Sequence, residues 1–264
     1  MKKARIAVVA LAVLMLFAAV SCKEPHVHSY GDPQVKDGKV VQVCECGDVK
    51  EVEGAVAVGT EDALKKAIED GVANIYLSSD IDVSDTIIVG GEKKIVLNLN
   101  GKSLFNTKDI WYQESGVKNS WSLISVRDKA SLTIGGNGSL KAKENDVYAA
   151  DVYDVGAKLI IENGKFVGNS HCIYVCEGEL VVNGGEFSIQ QKSGNPDPYG
   201  YVLNCYDSSY ADKTAKIVVS GGTFANFNPA DCAAEGADTN FLAEDYKTTS
   251  KDVDGITWWT VEKN

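Results

Sequence analysis

The sequence predicts an all-β fold of stacked coils, and three observations carry that expectation. Five short echoes recur through the middle of the chain: Asn100-Gly101-Lys102-Ser103-Leu104, Asn137-Gly138-Ser139-Leu140, Asn163-Gly164-Lys165-Phe166, Asn183-Gly184-Gly185-Glu186-Phe187 and Ser220-Gly221-Gly222-Thr223-Phe224. Each follows a run of branched apolar residues that suits a pleated surface, namely Ile95 to Leu99, Leu132 to Ile134, Leu159 to Ile161, Leu180 to Val182 and Ile217 to Val219. The turn positions 100, 137, 163, 183 and 220 are spaced by 37, 26, 20 and 37 residues, as expected of coils that accept loop insertions at fixed corners. The extra length falls in polar stretches such as Lys108 to Ser120, Lys192 to Pro198 and Asp207 to Lys213.

Within each coil the reading is strand, turn, large apolar residue. The Asn-Gly pairs are expected to supply the positive φ of a tight corner. Leu or Phe lies three or four places after Asn or Ser, so the register slips by one between echoes. Both flanks offer caps for the apolar ends of such a stack. Thr60 is placed as an N-cap, Glu61 and Asp62 suit the positive end of a helix dipole, Ala63, Leu64, Ala67 and Ile68 form one stripe, and Gly71 closes a short helix. At the other end Tyr246 to Thr249 and Ile256 to Val261 flank Asp254-Gly255 as a hairpin. Its Trp258 and Trp259 admit two uses, a sugar-stacking platform or a cover for the apolar end, and the area a tryptophan buries favours the cover.

These echoes resemble the right-handed parallel β-helix of the pectate-lyase-like superfamily, in the version common in bacterial cell-surface proteins. The resemblance covers residues 54 to 228 and implies about six coils ~4.8 Å apart, a stubby rod ~30 Å long. Residues 229 to 264 then form the C-terminal cap. An antiparallel β-sandwich is the competing architecture, but it leaves the recurrent Asn-Gly followed by Leu or Phe unexplained.

The N-terminus carries an address. Lys2, Lys3 and Arg5 precede fifteen uncharged, mostly apolar residues from Ile6 to Val20, which describes a secretory signal over residues 1 to 21. Ala19-Val20-Ser21-Cys22 resembles a bacterial lipobox, with alanine where leucine is usual. The resemblance implies that Cys22 becomes the lipidated mature N-terminus and tethers a monomeric protein to a membrane, at the cell surface or the periplasmic face. Without its signal the chain carries 23 basic and 37 acidic side chains, net −14, with Arg127 its only arginine. Nucleic acid is therefore an unexpected partner, and polyanionic substrates, which Arg forks suit best, are disfavoured.

Residues 22 to 53 form a tether and a small module holding His26, His28, Cys44 and Cys46. Two imidazoles and two thiols suit a tetrahedral structural zinc, and so short a segment needs a staple. Asp37-Gly38 reads as the turn of a hairpin over Val35 to Val43 that returns the cysteines towards the histidines. The segment resembles small His/Cys modules of bacterial surface proteins, which pair an HxH-like start with CxxCG; here the spacing is CxC. A disulfide between the two thiols and an unstructured tether are the other readings.

Chemistry elsewhere is sparse. Cys176 and Cys205 fall at matching positions of successive coils, as a disulfide or as members of a buried thiol ladder. His171 beside Cys172 makes a poor nucleophilic pair, because adjacent strand residues face opposite ways, and His171 is expected at a surface or corner. Arg127 reads as a turn residue, and Asp151 with Asp154, or Asp80, Asp82 and Asp85, as solvated corners. No catalytic residue is assigned. Trp111, Tyr112 and Tyr206, with Tyr199, Tyr201 and Tyr210, are aromatics in loops that either stack on sugars or pack beneath their own loops. The expected role is a non-catalytic module binding a glycan or surface macromolecule; the alternatives are a degenerate polysaccharide lyase or glycosidase, and a structural spacer.

Overall fold

A computed structural model describes residues 27–112, 120–191 and 200–264. Three short antiparallel strands come first, β1 (Gln34–Lys36), β2 (Lys39–Val43) and β3 (Val49–Glu51). Asp37 and Gly38, both at positive φ, form the two-residue turn between β1 and β2, where Lys36 faces Lys39. Then follow β4 (Ala55–Val58) and α1 (Glu61–Glu69). The Thr60 hydroxyl accepts the Ala63 amide at 3.2 Å, and Leu64, Ala67 and Ile68 point from α1 into the core. That is the helix expected from the capping residue and the apolar stripe.

From Asn74 onward the chain visits three parallel sheets in strict rotation. The first circuit is β5 (Asn74–Leu77), β6 (Ile81–Asp82) and β7 (Ile87–Val89); the second is β8 (Lys94–Asn98), β9 (Ser103–Phe105) and β10 (Ser122–Val126). The third is β11 (Ser131–Gly135), β12 (Ser139–Lys141) and β13 (Tyr148–Val152), and the fourth β14 (Lys158–Ile161), β15 (Lys165–Gly168) and β16 (Ile173–Val175). Then come β17 (Gly178–Val182), β18 (Glu186–Ile189) and β19 (Leu203–Cys205), the helix α2 (Asp207–Ala211), and β20 (Ala215–Val219) with β21 (Thr223–Ala225). Every strand pairs in parallel with its counterpart one circuit away, giving a seven-stranded sheet through β4, β5, β8, β11, β14, β17 and β20 and a five-stranded sheet through β7, β10, β13, β16 and β19. The molecule is therefore all-β with parallel sheets.

Register explains the echoes. Leu104, Leu140, Phe166, Phe187 and Phe224 lie opposite one another on successive strands of the third sheet. All five are fully buried, and the phenyl rings stack at 5.1 Å and 4.9 Å. The slip noted in the sequence is absorbed in the corners, so the apolar rungs stay aligned. The corner glycines have a second duty beyond positive φ. At Gly221 a Cβ would sit 2.1 Å from the Asn183 carbonyl oxygen of the preceding circuit, so the backbones approach too closely for any side chain.

At the C-terminal end the last strand of each sheet is met by a following segment. β22 (Tyr246–Val253) and β23 (Ile256–Lys263) form a hairpin whose turn is Asp254-Gly255, and β23 pairs antiparallel with β21, setting Trp259 against Phe224. Phe241 is buried; its carbonyl accepts the Val219 amide and the Ala243 amide donates to the Val219 carbonyl, each at 2.8 Å, so that Leu242 bridges Val219 on the edge of β20. The Glu235 carboxylate accepts the Cys205 amide of β19 at 2.7 Å. Exposed sheet edges recruit other chains; these contacts cover the last strands of the stack and leave β22, which carries Lys247 and Lys251, as the outermost strand of its sheet.

Candidate functional site

The His/Cys face is assembled by register. Tyr30 bridges Cys44, and Val43 faces Val49, so Cys44 lies across from Asp48 and its amide donates to the Asp48 carbonyl at 2.8 Å. Alternation then places His28, Tyr30, Cys44 and Asp48 on one face. One ligand atom each from His28, Cys44 and Cys46 fall within 4.8 Å of one another, and this group could hold a metal. The His28 Nδ1 is 3.4 Å from the Cys46 sulfur. The Cys46 amide donates to the Cys44 sulfur and holds that thiol below its ordinary range, with His28 and the Ser29 amide adding to the effect. His26 and Cys22 lie outside the described residues.

The remaining cysteines behave in the opposite sense. Burial pushes the thiols of Cys176 and Cys232 up to about 11 and that of Cys172 up to about 12, and raises Cys205 as well. All six described cysteines are free thiols. The expected pairing of Cys176 with Cys205 does not follow the register, because β19 sets Cys205 opposite Val175. A one-residue offset turns a side chain to the other face, and Cys205 points into the core.

A second site is a cleft of about 590 Å³ lined by Asp109, Trp111, Asn145, Asp146, Tyr148, Asn169, Ser170 and Gln191. Trp111 is 49 % exposed, so its indole is available to a ligand. The buried Asp146 carboxylate builds its base, accepting the amides of Ile110 and Trp111, each at 2.9 Å, and the Asn106 side chain at 2.6 Å. Three hydrogen bonds to one buried acid fix the backbone that presents the tryptophan. Lys143 stands beside this cleft with its ammonium on Asp109 at 2.6 Å. Tyr112, also exposed, bridges Ser120 on the same excursion, while Tyr206 is exposed at the start of α2; neither lines the cleft. Tyr210 packs edge-on to Phe241, and Tyr199 is outside the described residues.

The outer face of the five-stranded sheet holds a buried polar group that sequence reasoning placed in solvent. Ser125, Asp151 and Tyr174 are register partners facing away from the core. The Asp151 oxygens lie 2.5 Å from the Ser122 and Ser125 hydroxyls, and the Arg127 Nε donates to the Ser125 oxygen at 2.7 Å. Ser122 Oγ is also 2.7 Å from the Ile124 carbonyl, an acceptor only. A hydroxyl has one proton, so when Ser122 gives it to Ile124 the carboxyl must supply the proton between Asp151 and Ser122. Burial agrees, raising Asp151 to about 6 against the opposing pull of the two serines and Arg127. Arg127 opens the turn through Lys129, its carbonyl accepting the Ala130 amide at 2.9 Å as the sequence suggests, but its side chain is buried at 1 % exposure with the guanidinium 4.6 Å from the Tyr153 ring. His171 is also buried, between Tyr148 and Tyr174, with Nδ1 3.0 Å from the Tyr201 carbonyl.

The other candidate acids bind backbone. Asp80 accepts the Ser103 amide, Asp82 the Thr107 amide, Asp85 the Thr86 amide and Asp154 the Asp128 amide. Three of these four bonds join one circuit to the next, which gives the corner acids a structural use. The chain matches no protein-family model, no curated protein and no solved structure.

Proposed function

We propose that this protein is a lipid-anchored, exported glycan-binding module of bacterial type. Residues 1–21 act as the export signal, Cys22 carries the lipid, residues 22–53 form the tether and His/Cys module, residues 54–228 a right-handed parallel β-helix, and residues 229–264 its cap. The rotation of strands among three sheets and the in-register Phe ladder support the β-helix. His28, Cys44 and Cys46 hold a structural zinc. Among the described residues no helix is long and apolar enough to cross a membrane.

The observation that carries the binding role is the cleft beneath Trp111. An exposed indole over amides and carboxylates is the chemistry that recognises a sugar, whose apolar face stacks while its hydroxyls exchange hydrogen bonds. With Lys143 paired to Asp109, the lining favours a neutral glycan over a uronate. The lyase-type alternative loses its best residues, since Arg127 and Asp151 are enclosed at 1 % exposure. A glycan array probed with the chain from Lys23 onward tests the role: binding that Trp111→Ala abolishes supports it, and an array without binding rejects it.

A further inference from the structure

We infer that Asp48 supplies the fourth metal ligand of the His/Cys module, giving one imidazole, two thiolates and one carboxylate in place of the two-histidine set read from the sequence. The inference rests on the zinc reading of His28, Cys44 and Cys46 and adds a residue that the HxH and CxC spacing does not suggest.

The argument is topological first. Because Cys44 faces Tyr30 on one side and Asp48 on the other, the three side chains stand in a row on one face of the small sheet. Cross-strand neighbours have Cβ atoms ~4.5–5.5 Å apart, which is within reach of a shared ion. His28 and the turn residue Cys46 bring their donor atoms to the same place as Cys44.

Distances agree. Zinc bonds of roughly 2.0–2.3 Å in a tetrahedron put neighbouring donors about 3.5 Å apart. The His28 Nδ1 is 3.4 Å from the Cys46 sulfur and 3.8 Å from an Asp48 oxygen, so one nitrogen faces both partners at ligand-pair spacing. The carboxylate is also oriented by the Tyr30 hydroxyl, which donates to the same oxygen. A ligand carboxylate held by an outer hydrogen bond is the usual support of a metal site. The turn itself is shaped for a thiolate: Gly47, at φ +89°, lets its amide return to the Cys44 carbonyl at 2.8 Å while the Cys46 amide points at the Cys44 sulfur.

The test is cobalt(II) titration of the reduced, metal-free chain from Lys23 onward, followed by its visible ligand-field bands and its near-ultraviolet sulfur-to-metal bands. The wild type is expected to bind one equivalent with tetrahedral intensity. Asp48→Asn is expected to weaken binding at least tenfold and to shift the visible bands while the sulfur bands persist. His26→Ala and Glu51→Gln are expected to bind like the wild type; the second removes a carboxylate elsewhere on the same small sheet, where it pairs with Lys39, and so controls for a purely structural loss. If His26→Ala weakens binding and Asp48→Asn does not, or if Glu51→Gln matches the loss in Asp48→Asn, the assignment of Asp48 is overturned while the metal site stands. No cobalt uptake by the wild type would remove the zinc reading itself.

Discussion

Asp151 shows how one side chain can depend on its neighbours in the stack. Its acid is raised from 3.8 to about 6 because the charged form is buried. A folded-state value above the unfolded one means that the native protein binds the proton more tightly, so the contribution is fully present below about pH 3.8 and is lost as pH rises through about 6. The shift corresponds to about 3 kcal/mol. Asp154 opposes ionisation of Asp151 and Arg127 favours it, and both belong to the same surroundings. Asp151→Asn cannot ionise and keeps the shape, so it is expected to melt higher than the wild type at pH 8 and to lose that advantage at pH 4. Melting curves that show the same difference at both pH values would contradict the buried-proton account. None of this was legible in the sequence. Asp151 is shielded by Trp121, Tyr148, Tyr153 and Tyr174, which come from three circuits and meet at ring separations of 5.7–6.4 Å. Alternation along one strand marks which residues face outward, but not which outward residues are covered by the next circuit.

At the scale of elements, local chemistry was read well and phase between elements was not. Asp37-Gly38 and Asp254-Gly255 announce their hairpins because a two-residue turn needs positive φ at both positions, and both pairs have it. Thr60 announces α1 because its hydroxyl satisfies an amide that the helix leaves open. Thr60→Ala is expected to cost about 1 kcal/mol in chemical denaturation. The Leu and Phe of the echoes were recognisable as a repeated feature, and their parallel pairing turns them into a continuous ladder. Phe187 stacks on both Phe166 and Phe224, so Phe187→Ala is expected to destabilise the protein by about 3–5 kcal/mol, more than the same change at a ring with one stacked neighbour. A loss below 1 kcal/mol would mean that the ladder is not a principal packing element. The Cys176 and Cys205 pairing failed for a phase reason: the connections from one circuit to the next differ in length, and a single residue of difference exchanges inside for outside.

For the whole molecule, an acidic chain of net −11 presents a cleft where an exposed tryptophan, amides and carboxylates converge. The sequence pointed to Trp111, Tyr112 and Tyr206 together because all three are loop aromatics; the fold separates them, bringing only Trp111 to the cleft with Asp146 fixing its backbone. Asp146 itself was invisible as a site residue, since its partners lie 35 to 40 positions earlier. The outermost C-terminal strand, β22, carries Lys247 and Lys251, charges that discourage pairing, and sedimentation of the chain from Lys23 onward is expected to give a single monomeric species; strand-mediated dimers would show that β22 pairs all the same. The central claim is the glycan cleft, and the most direct measurement is titration of the best-binding neutral glycan from the array into wild type, Trp111→Ala and Tyr206→Ala. Loss of at least tenfold affinity, about 1.4 kcal/mol, in Trp111→Ala with Tyr206→Ala unchanged is the predicted result. Equal affinity in wild type and Trp111→Ala would place the binding surface elsewhere and contradict the account.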